Sequence, residues 1–212
     1  MSESQRLRLI ETAREMNRSG INRGTSGNLS VRFEDGMLIT PSGMAYESLE
    51  PDDIVIVDTD SVQYGRREAS SEWRIHYDIY AARPDASAIL HAHPEACTAL
   101  ACMHKPIPAF HYMVAVAGGN TIACAPYATF GSQKLSDLVL AAVEGMQACL
   151  MANHGLVCLA KQLDKVLALA VEVEQLARTY LHCLAVGEPE ILNDAEMERV
   201  LEKFRTYGTQ DR

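Results

Sequence analysis

The spacing of apolar residues changes period several times along the chain, and each change marks an element. Leu7, Leu9, Ile10, Ala13 and Met16 suit one face of a helix over residues 4–19, and Gly20 stops it. Residues 28–33 alternate as a strand, Asp35-Gly36 signals a hairpin turn, and Met37-Leu38-Ile39 returns as the next strand. Ile54-Val55-Ile56-Val57 predicts a buried strand ended by Asp58-Thr59-Asp60. Ser70-Ser71-Glu72 opens a helix running to about Arg83, with Trp73, Tyr77 and Tyr80 as its apolar stripe. Residues 88–93 read as a strand closed by Pro94, and 95–103 as a short helix. Lys105-Pro106-Ile107-Pro108 forms a turn, Gly118-Gly119 breaks the chain again, and a short strand is expected around Ile122. A helix over 132–144 is followed by two short strands within 149–158, joined at Asn153-His154-Gly155. The widest helical stripe covers 163–186, from Val166 and Leu169 through Val173 and Leu176 to Tyr180, Leu181 and Leu184. A last helix is expected at 194–205. The sum is an α/β layered fold with a largely antiparallel sheet, expected as one domain over residues 1–212.

Composition narrows the function. With 212 residues, 48% hydrophobic and 22% charged, the chain can bury a core without disulfides or structural metal. Any metal site is therefore free to be functional. The formal net charge is −9 and the densest basic spot is Gly65-Arg66-Arg67, which argues against a nucleic-acid partner. The polar N-terminus lacks an apolar signal core and no apolar run reaches membrane-span length, so a cytoplasmic protein is expected. The six cysteines form no C-x-x-C pair and are read as buried, reduced thiols.

His91-Ala92-His93 is the sharpest chemical signal. Residues two apart on a strand point the same way, so two imidazoles can grip one ion. An open tetrahedral site needs about three protein ligands. The third could come from His76, His104, His111, His154 or His182. His154 sits in a tight turn near a sheet end, whereas His182 lies in a long helix and His104 in a polar turn. A pair of partly buried histidines without metal explains the dipeptide equally well. Glu72 is either a favourable acid at a helix start or a carboxylate held over the metal. Gly24-Thr25-Ser26-Gly27-Asn28, Thr40-Pro41-Ser42-Gly43 and Ser70-Ser71 offer hydroxyl and backbone donors suited to a phosphate, though each could be an ordinary turn.

Taken in order, these blocks carry a resemblance. Gly24–Arg32, Asp35-Gly-Met-Leu-Ile-Thr-Pro-Ser-Gly43, Ser70-Ser-Glu-Trp-Arg74 and His91-Ala-His93 are followed by Ile107-Pro-Ala-Phe-His-Tyr-Met113, Ala117-Gly-Gly-Asn120, Cys124–Gly131, Asn153-His-Gly155 and Glu202–Gly208. The chain resembles the class II aldolase/adducin-head family over nearly its whole length, within it most closely the bacterial L-fuculose-1-phosphate aldolases. The resemblance implies a three-layer fold with a mostly antiparallel sheet flanked by helices. It implies zinc, or another divalent ion, on His91, His93 and His154, with Glu72 as acid/base carboxylate able to coordinate the metal when substrate is absent. Thr25, Asn28, Ser42, Gly43, Ser70 and Ser71 would line the phosphate pocket. Tyr112 would be a proton donor reaching in from a neighbouring subunit, and Tyr207 would close over the site. The implied assembly is a homotetramer with active sites at its interfaces. The implied reaction is cleavage of a ketose 1-phosphate to dihydroxyacetone phosphate and a short aldehyde such as L-lactaldehyde. Ser26 stands where the family often has Ala, and Ser42 where it often has Thr. Other branches act on 5-deoxyribulose or 5-methylthioribulose 1-phosphate, or epimerise ribulose 5-phosphate with Asp at the position of Glu72. The non-enzymatic adducin heads lose the zinc histidines, all three of which stand here.

Overall fold

The computed structural model describes residues 2–205, so Tyr207 lies outside the described residues. The strands are β1 (Asn28–Phe33), β2 (Gly36–Ile39), β3 (Val55–Val57), β4 (Gln63–Tyr64), β5 (Ala88–Ala92), β6 (Cys124–Ala125), β7 (Ala148–Met151) and β8 (Gly155–Ala160). The helices are α1 (Ser2–Arg18), α2 (Trp73–Ala82), α3 (Glu95–Cys102), α4 (Gln133–Ala142), α5 (Leu163–Val186) and α6 (Asp194–Phe204). Among the described residues the strands form one sheet in the order β4-β3-β2-β1-β5-β8-β7-β6. Neighbours run antiparallel except β6 beside β7.

Strand alternation sorts the side chains into two cores. Ile89 joins Met37, Ile39, Val157 and Leu159 beneath Ile75 and Ile79 of α2 and Leu135 and Val139 of α4. Ala88, Leu90 and Ala92 join the opposite core with α1, α3 and α5. His91 shares the parity of Ile89 and so belongs to the α2 side of a three-layer fold.

Several readings change. The buried face of α2 is Ile75, His76, Ile79 and Tyr80, while Trp73 and Tyr77 are only half-buried. Large aromatics cover a core edge without entering it, and so mislead a stripe drawn on residue type. Leu7 is exposed although it fits the α1 pattern. Cys97, Cys149 and Cys158 are buried, but Cys102 is exposed and Cys124 and Cys183 lie between. Ile122 makes only an isolated bridge to Ile107, and the strand beyond it is two residues long.

Two buried carboxylates fasten segments that lead to the functional end of the sheet. Glu174 of α5 accepts from the backbone N–H groups of Ala96 and Cys97 at 2.9 Å, capping α3 just beyond His93. Asp53 accepts from Nε of Arg66 and Arg67 at 3.0 and 2.8 Å, tying down the stretch before Ser70. Burial pushes the Asp53 carboxyl up, but the Arg67 and Arg66 guanidiniums outweigh it and hold it at about 2. A depressed carboxyl stabilises the fold above its unfolded value, near 3.8, and that contribution is lost as pH falls through about 2. Both guanidiniums are half exposed, so the contribution is discounted to roughly 1–2 kcal/mol. By urea unfolding, wild type should exceed Asp53→Asn by that margin near neutral pH, with the gap closing in acid. A gap that persists undiminished below about pH 3 would contradict the assignment.

Candidate active site and metal centre

His91 is on β5 and His93 lies just past its end, so both imidazoles leave the sheet on the α2 side. Pro94 ends the strand there, and α3 begins at Glu95. His154 comes from the turn between β7 and β8, where Asn153 takes a left-handed conformation with φ 53°. Gly155 lets that turn lie against the end of β5. A Cβ there would meet the Ala92 carbonyl oxygen at 2.5 Å and His93 Cδ2 at 2.7 Å. Glu72 occupies the N-cap position of α2, one residue before the helix, and its side chain does not cap. Instead the carboxylate turns toward the histidines.

One donor atom from each of Glu72, His91, His93 and His154 lies within 4.8 Å of the others. Glu72 Oε2 is 2.8 Å from His91 Nε2 and 3.4 Å from His154 Nε2. The Leu156 carbonyl oxygen, an acceptor only, is 2.9 Å from His91 Nδ1. His91 Nδ1–H therefore donates to the Leu156 carbonyl, and Nε2 is the nitrogen that faces the carboxylate and could ligate a metal. His91 Nε2, His93 Nε2 and Glu72 Oε1 are buried without hydrogen-bond partners. Lone pairs converging at such distances repel unless positive charge lies among them. Three imidazoles and a carboxylate are the donor set of a divalent cation such as zinc, and the orphaned atoms fit it. Burial, then neighbouring His91 and His154, pushes His93 down to about 4, keeping it neutral and able to ligate. Burial alone would raise the Glu72 carboxyl, but His91 and His154 pull it below the usual carboxylate range.

The three small polar loops meet near this point. Thr40 Oγ1 accepts from the Leu29 N–H, and the Thr40 carbonyl accepts from the Ser70 N–H. Thr40 thus links the segment after Asn28, the Ser42-Gly43 turn and the Ser70-Ser71 turn. The Ser42 N–H is spent on the Glu68 carbonyl and the Ser70 N–H on Thr40, so both residues have their hydroxyls to offer an anion. Thr25, Ser26, Ser42, Gly43 and Ser71 are exposed, and Asn28 and Ser70 are buried. A cleft of about 280 Å³ joins Ser26 and Ser71 to Glu72, His93 and His154, with Tyr127, Phe130 and Asn153 at its walls. Tyr127 and Phe130 were not singled out from the sequence, since nothing in a Pro- and Gly-flanked loop tells a mouth-lining aromatic from a buried one. Tyr112 is half exposed and lines a separate cleft with Phe110, His111 and α6, not the cleft that holds His93 and His154. The remaining histidine candidates are otherwise engaged or distant. His76 is buried in a hydrogen-bond network, His104 bonds Asn153, His111 caps the 3-10 turn Tyr112–Ala117, and His182 lies on α5.

Gly155→Ala should weaken divalent-metal affinity about tenfold or more, because the added methyl must push the turn carrying His154 off the His93 ring. Competition against a chromophoric chelator measures this. Wild-type affinity in that variant would show that the close approach does not set the site.

A sheet end carrying three imidazoles and a carboxylate over a polar cleft is the arrangement of a divalent-metal centre open to a substrate. The chain belongs to the class II aldolase family: residues 7–181 match the model described as Class II Aldolase and Adducin N-terminal domain. It is thus an enzyme of the metal-dependent aldehyde-lyase class. A Rhodospirillum rubrum protein named 5-methylthioribulose-1-phosphate/5-deoxyribulose-1-phosphate aldolase is 56% identical over 200 residues, covering 94% of this chain and 90% of that one. An Escherichia coli protein named L-fuculose phosphate aldolase is 50% identical over 201 residues, 94% of each. A solved L-fuculose 1-phosphate aldolase superposes with a TM-score of 0.92 at 40% identity, covering 94% of this chain and 95% of that one. No helix among the described residues is long and apolar enough to cross a membrane.

Proposed function

We propose that the chain, working as one domain, cleaves a ketose 1-phosphate of the L-fuculose 1-phosphate type by a zinc-dependent retro-aldol reaction. The products would be dihydroxyacetone phosphate and a short aldehyde such as L-lactaldehyde. The convergence of His91, His93, His154 and Glu72 at one point beside three anion-suited loops carries this reading. A divalent ion held there supplies Lewis-acid polarisation of the substrate's carbonyl. The chain's own residues do the rest. Thr25, Asn28, Ser42, Gly43, Ser70 and Ser71 hold the phosphate, so binding energy remote from the reacting bond fixes its geometry. Glu72, buried at the helix start and ionised before substrate binds, takes up a proton during the cycle and passes it to the carbon freed when the C3–C4 bond breaks, balancing the proton lost from the C4 hydroxyl. Tyr112 of a neighbouring copy serves the proton of the C4 hydroxyl, in a homotetramer with sites at its interfaces. Its exposure and its place outside the cleft that holds its own chain's His93 and His154 support that role. Tyr207 keeps the closing role that the resemblance assigns it.

The 56% identity to the Rhodospirillum relative, against 50% for the fuculose phosphate enzyme, supports a second reading in which the substrate is 5-methylthioribulose or 5-deoxyribulose 1-phosphate. Release of dihydroxyacetone phosphate from each of these three ketose 1-phosphates, with and without chelator, tests both. The substrate with the highest kcat/KM names the reaction. Turnover that survives full chelation refutes the metal-dependent mechanism.

A further inference from the structure

One buried titratable side chain near the site has no part in the chemistry described so far. His76 is on α2, one turn beyond Glu72, and is fully buried. Its Nδ1 is 2.6 Å from Ser30 Oγ, and its Nε2 is 2.6 Å from Asn28 Oδ1. Ser30 Oγ is in turn 2.9 Å from the Tyr80 hydroxyl. Asn28 and Ser30 alternate on β1, and Asn28 pairs with His91 across the sheet. The Asn28 amide therefore stands on the same sheet face as a candidate metal ligand.

The protons in this chain have one consistent direction. The Tyr80 hydroxyl is buried, and Ser30 Oγ is the acceptor it finds among the described residues, so Tyr80 donates to Ser30. Ser30 then donates to His76 Nδ1, which leaves the imidazole proton on Nε2. That proton is donated to Asn28 Oδ1, a pure acceptor. Burial pushes His76 down to about 3, so the ring is neutral and holds a single proton. Burial likewise raises the Tyr80 hydroxyl, which keeps its own.

We propose that His76 is a positioning residue that locks the Asn28 carboxamide with its oxygen turned inward, so that its NH2 group faces the anion beside the metal centre. The inference rests on Asn28 belonging to the phosphate pocket. An amide free to rotate would present its oxygen to the phosphate half of the time, and an acceptor against a dianion is repulsive. Three buried polar side chains, Ser30, His76 and Tyr80, serve to hold one amide in one orientation.

The zinc-loaded protein tests this without mutation. Nitrogen-15 spectra of its histidines, with the His76 signal assigned by its loss in His76→Gln, should show a proton on Nε2 and a bare Nδ1. A proton on Nδ1, or an imidazolium, overturns the proposal. The second arm measures inorganic phosphate binding at unchanged metal content. His76→Phe removes the donor and should weaken phosphate about tenfold, whereas His76→Gln keeps an N–H in reach of Asn28 and should stay within about threefold of wild type. His76→Phe combined with Asn28→Ala should bind phosphate no more weakly than Asn28→Ala alone, because the two act through one group. A merely structural histidine would lower stability in both His76 variants and leave the phosphate constants together. If Asn28→Ala weakens phosphate while His76→Phe does not, positioning is refuted. If Asn28→Ala binds phosphate like wild type, the pocket assignment itself has failed and the proposal falls with it.

Discussion

His93→Ala should be purified with almost no bound divalent metal and almost no turnover. His93 is half-buried beside the cleft, so the change leaves no large core cavity and the protein should fold. What it removes is one of three imidazoles whose donor atoms converge with Glu72. The remaining donors, His91, His154 and one carboxylate, are one fewer than the four that converge, and affinity should fall about a hundredfold or more. Loss of Lewis-acid stabilisation worth several kcal/mol then costs on the order of a thousandfold in rate. Metal analysis of the purified variant and its rate of dihydroxyacetone phosphate release check the two halves. Thermal unfolding supplies a third reading. A ligand that binds only the folded state raises its stability, so chelator should lower the melting temperature of wild type and leave that of His93→Ala unmoved. A variant that turns over at the wild-type rate while free of metal would refute the centre.

Elements with one strong physical cause were legible in the sequence. The stripe over 163–186 reproduces α5 because an apolar face at helical spacing has few other ways to be buried. The alternation over 28–33 reproduces β1 for the corresponding reason in a sheet. The site was legible only in part. His91-x-His93 declared a shared face through strand period, but a tight turn at Asn153-His154-Gly155 did not by itself make His154 a ligand in preference to His76 on its helix. The difference is three-dimensional: β7 and β8 return His154 to the end of β5, while α2 carries His76 into contact with Ser30 and Asn28. The family resemblance, and not spacing, pointed to His154. The three polar loops looked like ordinary turns because their convergence on Thr40 depends on pairings between residues far apart in the chain. Gly155 looked like turn punctuation, although its missing side chain is what lets the turn approach the His93 ring.

Glu72→Gln separates holding the metal from doing the chemistry. The amide is nearly isosteric, so the N-cap position and the packing at the start of α2 should survive. Three imidazoles remain for the ion, and occupancy should stay near that of wild type when metal is supplied. Losing one carboxylate oxygen near His91 and His154 will weaken affinity, which saturating metal in the assay offsets. A carboxamide neither gives nor takes a proton at working pH. Turnover should therefore fall by roughly 10²–10⁴, the usual contribution of one positioned acid or base. The fall should lie in kcat with KM little changed, because the phosphate loops bind the other end of the substrate and are untouched. A metal-free variant would instead make Glu72 chiefly a ligand, and a loss confined to KM would make it a binding group. An unaltered kcat with full metal would remove Glu72 from proton transfer, leaving its burial among three histidines without a catalytic purpose.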